Sequence, residues 1–306
     1  MVKRIRRRRK PWQGIKPKQI LIGVLILSLL WGWWMWAKIF QAVPNNALST
    51  VRGESREGIT NILIAGVDNY YSMEGRADSV MILSIDTRDN SATITSVPRD
   101  SRVTVDGYGY RKLSMTMEIG GMPLLRSKLE ALLGIRIDHY IFTNLAGFED
   151  IVDALGGITV NVPKEMTVRK TFPNDWVTLQ PGIQRMDGTT TLAYLRFRSD
   201  SGHDPGRMAR HREFFTTLAK QTLRARNLFR FPLILHAMSN AVRTDLTISE
   251  GLALANRMRT MDLGQIPMVA LEGPFELIDG LAYYVIDMDH LKKTVSAYIL
   301  RDTPMD

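Results

Sequence analysis

Nine lysines and arginines crowd the first 18 residues with no acid among them (Lys3, Arg4, Arg6, Arg7, Arg8, Arg9, Lys10, Lys16, Lys18). Directly after them Ile20–Ala37 runs ILIGVLILSLLWGWWMWA, eighteen residues without a charge. At 1.5 Å rise per residue this run reaches about 27 Å as a helix, enough to cross a hydrocarbon core. Trp31, Trp33, Trp34 and Trp36 gather at its far end, where amphipathic rings favour the headgroup layer. Basic residues favour the cytoplasmic side, so the order of charge and hydropathy predicts an inside N-terminus and export of everything after Lys38. Phe40-Gln41-Ala42 lacks a small residue at the position a signal peptidase needs, so the segment reads as an uncleaved anchor.

The basic tail also disposes of the net charge of +9: without residues 1–18 the chain holds 31 basic and 31 acidic residues. A basic nucleic-acid-binding body is thereby excluded. There is no cysteine, which removes disulfides, thiolate metal sites and cysteine nucleophiles together. G-x-S-x-G, Walker A and G-x-G-x-x-G patterns are absent, and His203 and His211 form no zinc-ligand spacing.

The sequence divides into a basic tail (1–19), the membrane segment (20–40), a polar stalk (41–58) and one exported domain (59–306). In the domain, short β-branched runs at Ile62–Val67, Val80–Ile85 and Ala92–Val97 predict strands. Pro123–Leu133 predicts a helix stopped by Gly134, His139–Asn144 a strand, Ala146–Leu155 a helix and Ile158–Val162 a strand. Asp187 caps a helix reaching Arg196; further helices are expected over 207–226, 231–242, 248–261 and 291–300, with strands at 268–271 and 283–286. Alternation of this kind predicts an α/β fold, an α/β/α sandwich with a central mixed sheet, preceded by one transmembrane helix.

Charges fall where these strands end. Asp68 closes the first strand, Arg76 and Asp78 precede the second, and the third runs into Pro98-Arg99-Asp100. Arg196 and Arg198 follow a helix, and His203, Asp204 and Arg207 lead into the next. Strand ends and helix starts are where α/β folds bind ligands. Arg76, Arg99, Arg196, Arg198 and Arg207 are cationic forks suited to phosphate oxygens, and Asp68 and Asp78 are hard oxygen ligands suited to Mg²⁺. The set reads as a site for a pyrophosphate–metal complex.

In order and spacing, the segments NILIAGVD (61–68), RADSVMILSID (76–86), ITSVPRD (94–100), RKL (111–113), IDHYIFTNLAGFEDIVDALGGITVNVP (137–163), LQPGIQRMDGTTTLAYLRFR (179–198) and HDPGRMARH (203–211) resemble the LytR-CpsA-Psr family of membrane-anchored cell-wall enzymes. The motif-bearing stretch is about 60–225. The resemblance implies a phosphotransferase that moves a glycopolymer, with its proximal phosphate, from a polyprenyl-pyrophosphate carrier to a peptidoglycan hydroxyl. It implies Mg²⁺ or Mn²⁺ on Asp68 and Asp78, and phosphate contacts from Arg76, Arg99, Lys112, Arg196, Arg198, Arg207 and His211. It gives Asp204 the task of orienting an arginine or deprotonating the incoming hydroxyl, with Arg99 and Arg76 at the reacting centre. The location implied is the outer face of a Gram-positive-type cell membrane, with the lipid-linked polymer and peptidoglycan as partners and no nucleic acid.

The chain departs from the family pattern at three places. Tyr70 stands where an arginine usually follows the first Asp, Ser114 replaces an Asn after Lys112-Leu113, and His211 replaces a Gln after Arg210. Two other readings use the same residues: a hydrolase of the same pyrophosphate, and a non-catalytic anchored protein that binds lipid or polymer in a regulatory role.

Overall fold

The computed structural model of the chain describes residues 28, 30–40, 56–171, 175–197, 205–222 and 231–301. In chain order the elements begin with helix α1 (30–39), strands β1 (Ile59–Val67), β2 (Ala77–Asp86), β3 (Ser91–Ser96), β4 (Arg102–Val105) and β5 (Gly109–Lys112), and helix α2 (Met115–Leu133). Then follow β6 (His139–Thr143), α3 (Leu145–Ala154), β7 (Ile158–Val162), β8 (Met166–Arg169), β9 (Trp176–Leu179), β10 (Gly182–Met186), α4 (Gly188–Arg196) and α5 (Pro205–Thr222). The last are α6 (Phe231–Ala241), β11 (Val242–Thr244), α7 (Ile248–Met258), β12 (Met268–Ala270), β13 (Phe275–Ile278), β14 (Leu281–Tyr284) and α8 (Met288–Thr294), which runs into a π-helical turn at Val295–Leu300.

Six strands form the central sheet in the order β11-β6-β1-β2-β3-β12. Its pairing is mixed: β1 is antiparallel to β2 and parallel to β6, β3 is antiparallel to β2 and parallel to β12. Alternation along β1 and β2 divides the apolar residues between two faces. Leu63, Ala65, Val67, Val80 and Ile82 point to one, where Leu125, Leu129 and Leu133 of α2 and Val295 and Ile299 cover them. Ile62, Met81, Leu83 and Ile85 point to the other, under Leu254 and Met258 of α7 and Phe215 of α5. A sheet buried on both faces needs helices on both, so the sandwich expected from the alternation forms. A smaller core lies beside it, where Val152, Ile158, Val160, Val168, Tyr194 and Phe214 join β7–β10 to α3, α4 and α5.

The differences from expectation are local. Helix α2 starts eight residues before Pro123 but is broken at Gly120 and Gly121 (φ 65°), so Pro123 opens its second half. The hairpin β4–β5 was not legible as strands, since its four-residue strands are stabilised by packing on α2, and β14 lies two residues before the strand expected at 283–286. The β13–β14 turn is Asp279-Gly280, both at positive φ, the conformation a two-residue hairpin turn requires.

No helix among the described residues is long and apolar enough to cross a membrane. Most of the Ile20–Ala37 run, the basic tail and the expected stalk at 41–55 lie outside the described residues. What is described is the end of the run: Met35 and Ile39 of α1 are buried against Met238 and Ala241 of α6 and Val242 of β11. Phe40 then bridges Thr244 at the sheet edge. On the far side of 41–55, the Arg56 guanidinium donates to the Leu300 carbonyl at 3.0 Å. Both flanks of the stalk segment are therefore tied to the domain.

Candidate active site

The antiparallel pairing of β1 with β2, and of β2 with β3, brings the end of β1, the start of β2 and the end of β3 to one end of the sheet. A register shift between Gly66 and Val67 turns the end of β1 outward, and Asp68 is the first residue beyond it. The Asp68 carboxylate accepts a hydrogen bond from the Arg76 amide at 2.7 Å, while the Asp68 amide donates to the Arg76 carbonyl at 2.9 Å. This double link closes the loop 69–75. Gly75 (φ 146°) has no alternative: a β-carbon there would sit 2.8 Å from the Asp68 carboxylate oxygen.

Arg99 and Asp100 follow Pro98 at the end of β3. The Arg99 guanidinium is 2.6 Å from Asp78 Oδ1 and 3.6 Å from Asp100 Oδ2, and Lys112 Nζ of β5 is 2.9 Å from Asp100 Oδ1. Asp78, Arg99, Asp100 and Lys112 thus form one continuous line of alternating charge. Each is between a quarter and a third exposed, so the line is open to a ligand but not fully solvated. The backbone holds it in place: the Ser114 amide donates to the Arg99 carbonyl at 2.9 Å, and the Ala77 amide to the Ser114 carbonyl at 3.1 Å. Ser114 is buried and makes no side-chain cap for α2, so its part in the site is played by the backbone. Arg76 turns outward to Glu118 in the first turn of α2, at 3.1 Å, with both side chains about half exposed. Glu118 had no sequence signal, because nothing in a helix's first turn announces a partner 42 residues away.

The loop after Asp68 also positions α3. Its Asn69 and Tyr70 carbonyls accept from the Leu145 and Ala146 amides, the free donors at the start of that helix. The Tyr70 hydroxyl donates to Glu149 Oε2 at 2.7 Å. Glu149 is buried, and that burial raises its pKa against the lowering effect of the tyrosine bond. Tyr70 in turn is pushed above the usual phenol range, by burial first and the glutamate second. The residue standing in the family's arginine position is therefore committed to an internal hydrogen bond.

The remaining expected residues lie on α4 and α5. Arg196, in the last turn of α4, donates to Thr171 Oγ1 at 3.1 Å, and His211 Nε2 is 3.2 Å from the Leu195 carbonyl. Arg210 beside it is buried, donates to the Phe197 carbonyl at 2.8 Å and lies between the Tyr194 and Phe197 rings. Arg207 is placed in the first turn of α5 by its backbone alone. Arg198, His203 and Asp204 lie outside the described residues.

For a divalent cation the donor set is small. Among the described residues no three His, Asp or Glu side chains cluster as a metal cage. Asp68 and Asp78, on adjacent strands at the same end of the sheet, supply two carboxylates, each with one oxygen already engaged by Arg76 or Arg99. That fits a cation such as Mg²⁺, which is usually held by one or two carboxylates and completed by phosphate oxygens and water.

A family model, the LytR_cpsA_psr family, matches residues 37–299. The chain belongs to that family. It is 28% identical over 297 residues to a protein of Enterococcus faecalis named polyisoprenyl-teichoic acid–peptidoglycan teichoic acid transferase TagU, covering 92% of this chain and 95% of that one. It is 32% identical over 192 residues to the Staphylococcus aureus regulatory protein MsrR, covering 62% of this chain and 57% of the relative. The crystal structure of B. subtilis TagV superposes with a TM-score of 0.68 at 26% identity, over 82% of this chain and 100% of that one.

Proposed function

We propose that this protein is a membrane-anchored phosphotransferase that moves a cell-wall glycopolymer, with its proximal phosphate, from a polyprenyl-pyrophosphate carrier to a peptidoglycan hydroxyl. The observation that carries the reading is the line Asp78–Arg99–Asp100–Lys112, two cations held by two carboxylates at an open sheet end. The nearly full-length relative named as a teichoic acid transferase supports it.

Phosphoryl transfer asks mainly for in-line positioning and neutralisation of charge on the transferred group and the leaving oxygen. Arg99 and Lys112 meet that demand as fixed cations, and their acidic partners keep each oriented before substrate arrives. Arg76, half exposed and paired with Glu118, binds phosphate oxygens as well. Asp68 and Asp78 hold Mg²⁺ or Mn²⁺, which when bound neutralises the pyrophosphate oxygens. Arg196, Arg198, Arg207 and His211 bind the remaining phosphate charge, and Asp204 receives the proton of the attacking hydroxyl. The products are a phosphodiester on peptidoglycan and polyprenyl phosphate.

The test supplies the full chain in detergent with Mg²⁺, a lipid-pyrophosphate-linked glycan and short uncross-linked peptidoglycan chains, and measures the mass of the chains. Chains heavier by glycan plus phosphate, lost in Arg99→Ala, support the transferase. Release of lipid phosphate with unchanged chains overturns it in favour of hydrolysis. Tight lipid binding without turnover overturns it in favour of a binding protein with a regulatory role, the role named for the MsrR relative.

A further inference from the structure

Helix α1 is not a free tether. Met35 and Ile39 are 4% and 0% exposed in a cluster with Met238, Ala241 and Val242. The Trp36 ring lies against the backbone of α7, 3.3 Å from where a Gly251 β-carbon would stand. Yet the outer side of the same helix is apolar and bare: Trp33 is 66% exposed, and Leu30, Trp31 and Trp34 are exposed beside it. Lys38 sits over the Trp34 ring at 4.1 Å, the pairing of a flexible cation and an amphipathic ring that suits a membrane–water boundary.

The elements that receive α1 share this character. Leu254 and Met258 of α7 face the sheet, but no residue of the helix is buried, and its other side presents Ile248 and Leu252, the latter 63% exposed. Leu233 of α6 is also 63% exposed. These apolar residues sit on the two helices that hold α1, and a solvated surface has no use for such a concentration of them.

Chain length names the occupant. The uncharged run Ile20–Ala37 reaches about 27 Å against a hydrocarbon core of about 30 Å, so nearly all of it is needed to cross. Met35, the sixteenth residue of that run, is already packed on the domain. No length remains for a spacer between bilayer and protein.

We propose that the domain sits directly on the membrane, with Leu233 of α6 and Ile248 and Leu252 of α7 in the headgroup layer beside the tryptophans of α1, and that the buried Met35–Ile39 contact fixes its orientation there. This rests on the reading of 20–37 as a membrane anchor, and adds to it a lipid-binding face on the folded domain.

The chain has no cysteine, so single-cysteine variants carry a fluorophore at one chosen site. Leu30→Cys, Leu233→Cys, Ile248→Cys and Leu252→Cys are all exposed positions; Asp106→Cys, in the turn of the β4–β5 hairpin on the α2 face of the sheet, is exposed and polar in its surroundings and serves as the aqueous reference. The labelled full-length proteins are reconstituted into phosphatidylethanolamine–phosphatidylglycerol nanodiscs with or without lipids brominated near the headgroup. Quenching at 233, 248 and 252 at least twofold greater than at 106 is the expected result. Quenching at 30 with 233, 248 and 252 no different from 106 would overturn the docked face and leave the anchor standing. No quenching at 30 either would overturn both. Energy transfer between two copies labelled at 252, without lipid quenching, would give the face to a second copy and likewise overturn the proposal.

Discussion

The Asp78 carboxylate and the Arg99 guanidinium meet at 2.6 Å across the end of the central sheet, and the same guanidinium approaches Asp100 at 3.6 Å. One arginine is thus aimed by two carboxylates from two different strand ends. An ion pair one-third exposed contributes little to stability, about 0–1 kcal/mol. In the proposed transferase its use is to hold a cation in position for an anionic ligand. Replacing Arg99 by Ala is therefore expected to leave the fold intact and to slow glycan transfer by about a hundredfold, a loss of about 3 kcal/mol of transition-state stabilisation. Asp78→Asn should lower the rate as well. Thermal melts and transfer rates on the same preparations check both halves.

Glu149 titrates against the fold. Its folded-state pKa is raised, chiefly by burial, so the native protein binds its proton more readily than the unfolded chain does. Stability from this group is therefore greatest when it is protonated and falls as pH rises from the unfolded carboxylate value through the folded one. Glu149→Gln retains an acceptor for the Tyr70 hydroxyl and carries no charge. It is expected to melt higher than the parent near neutral pH, with the gain disappearing at about pH 4. Melting curves at the two pH values decide it.

His139 has the same direction of dependence in a higher pH range. The bond to Asp245, 3.5 Å from its Nδ1, raises its pKa above the usual imidazole value, and Glu250 adds to this. The folded state therefore favours the imidazolium. That contribution is complete below the unfolded pKa of about 6.5 and disappears as pH climbs through the folded value. His139→Gln should cost about 1.5 kcal/mol in acid solution and less in alkaline solution, measured by urea unfolding at about pH 5.5 and about pH 8.5.

Gly188 opens α4 where that helix crosses α3. A β-carbon there would stand 2.4 Å from the Glu149 carbonyl oxygen and 2.6 Å from its α-carbon, and backbone on the facing helix has no side chain to move aside. Gly188→Ala is expected to destabilise the domain by about 3 kcal/mol, read as a lower urea midpoint with an unchanged slope.

Much of this protein is written in short stretches of its chain. The β-branched runs of β1, β2 and β3 and the Asp187 helix cap are each set by neighbours a few residues apart. Local preference suffices to place them, and the order of the charged motifs suffices to place the chain in its family. The β4–β5 hairpin escaped because a four-residue strand owes its existence to what it packs against.

What only tertiary structure decided is which side chains meet. Asp78 finds Arg99 because strand register brings two strand ends to one place, and Tyr70 finds Glu149 because the loop after β1 caps α3. The group of Arg126, Glu130, His139 and Asp245, the first two buried, is assembled from α2, the start of β6 and the turn before α7, with Glu130 also accepting from the Ile137 amide at 2.9 Å. Charges of this kind carry no sequence period, since their energy depends on distance and desolvation rather than on position along the chain. The docking of α1 belongs with them: hydropathy marks a run of apolar residues, but the sheet edge and α6 decide that Met35 and Ile39 are buried by protein.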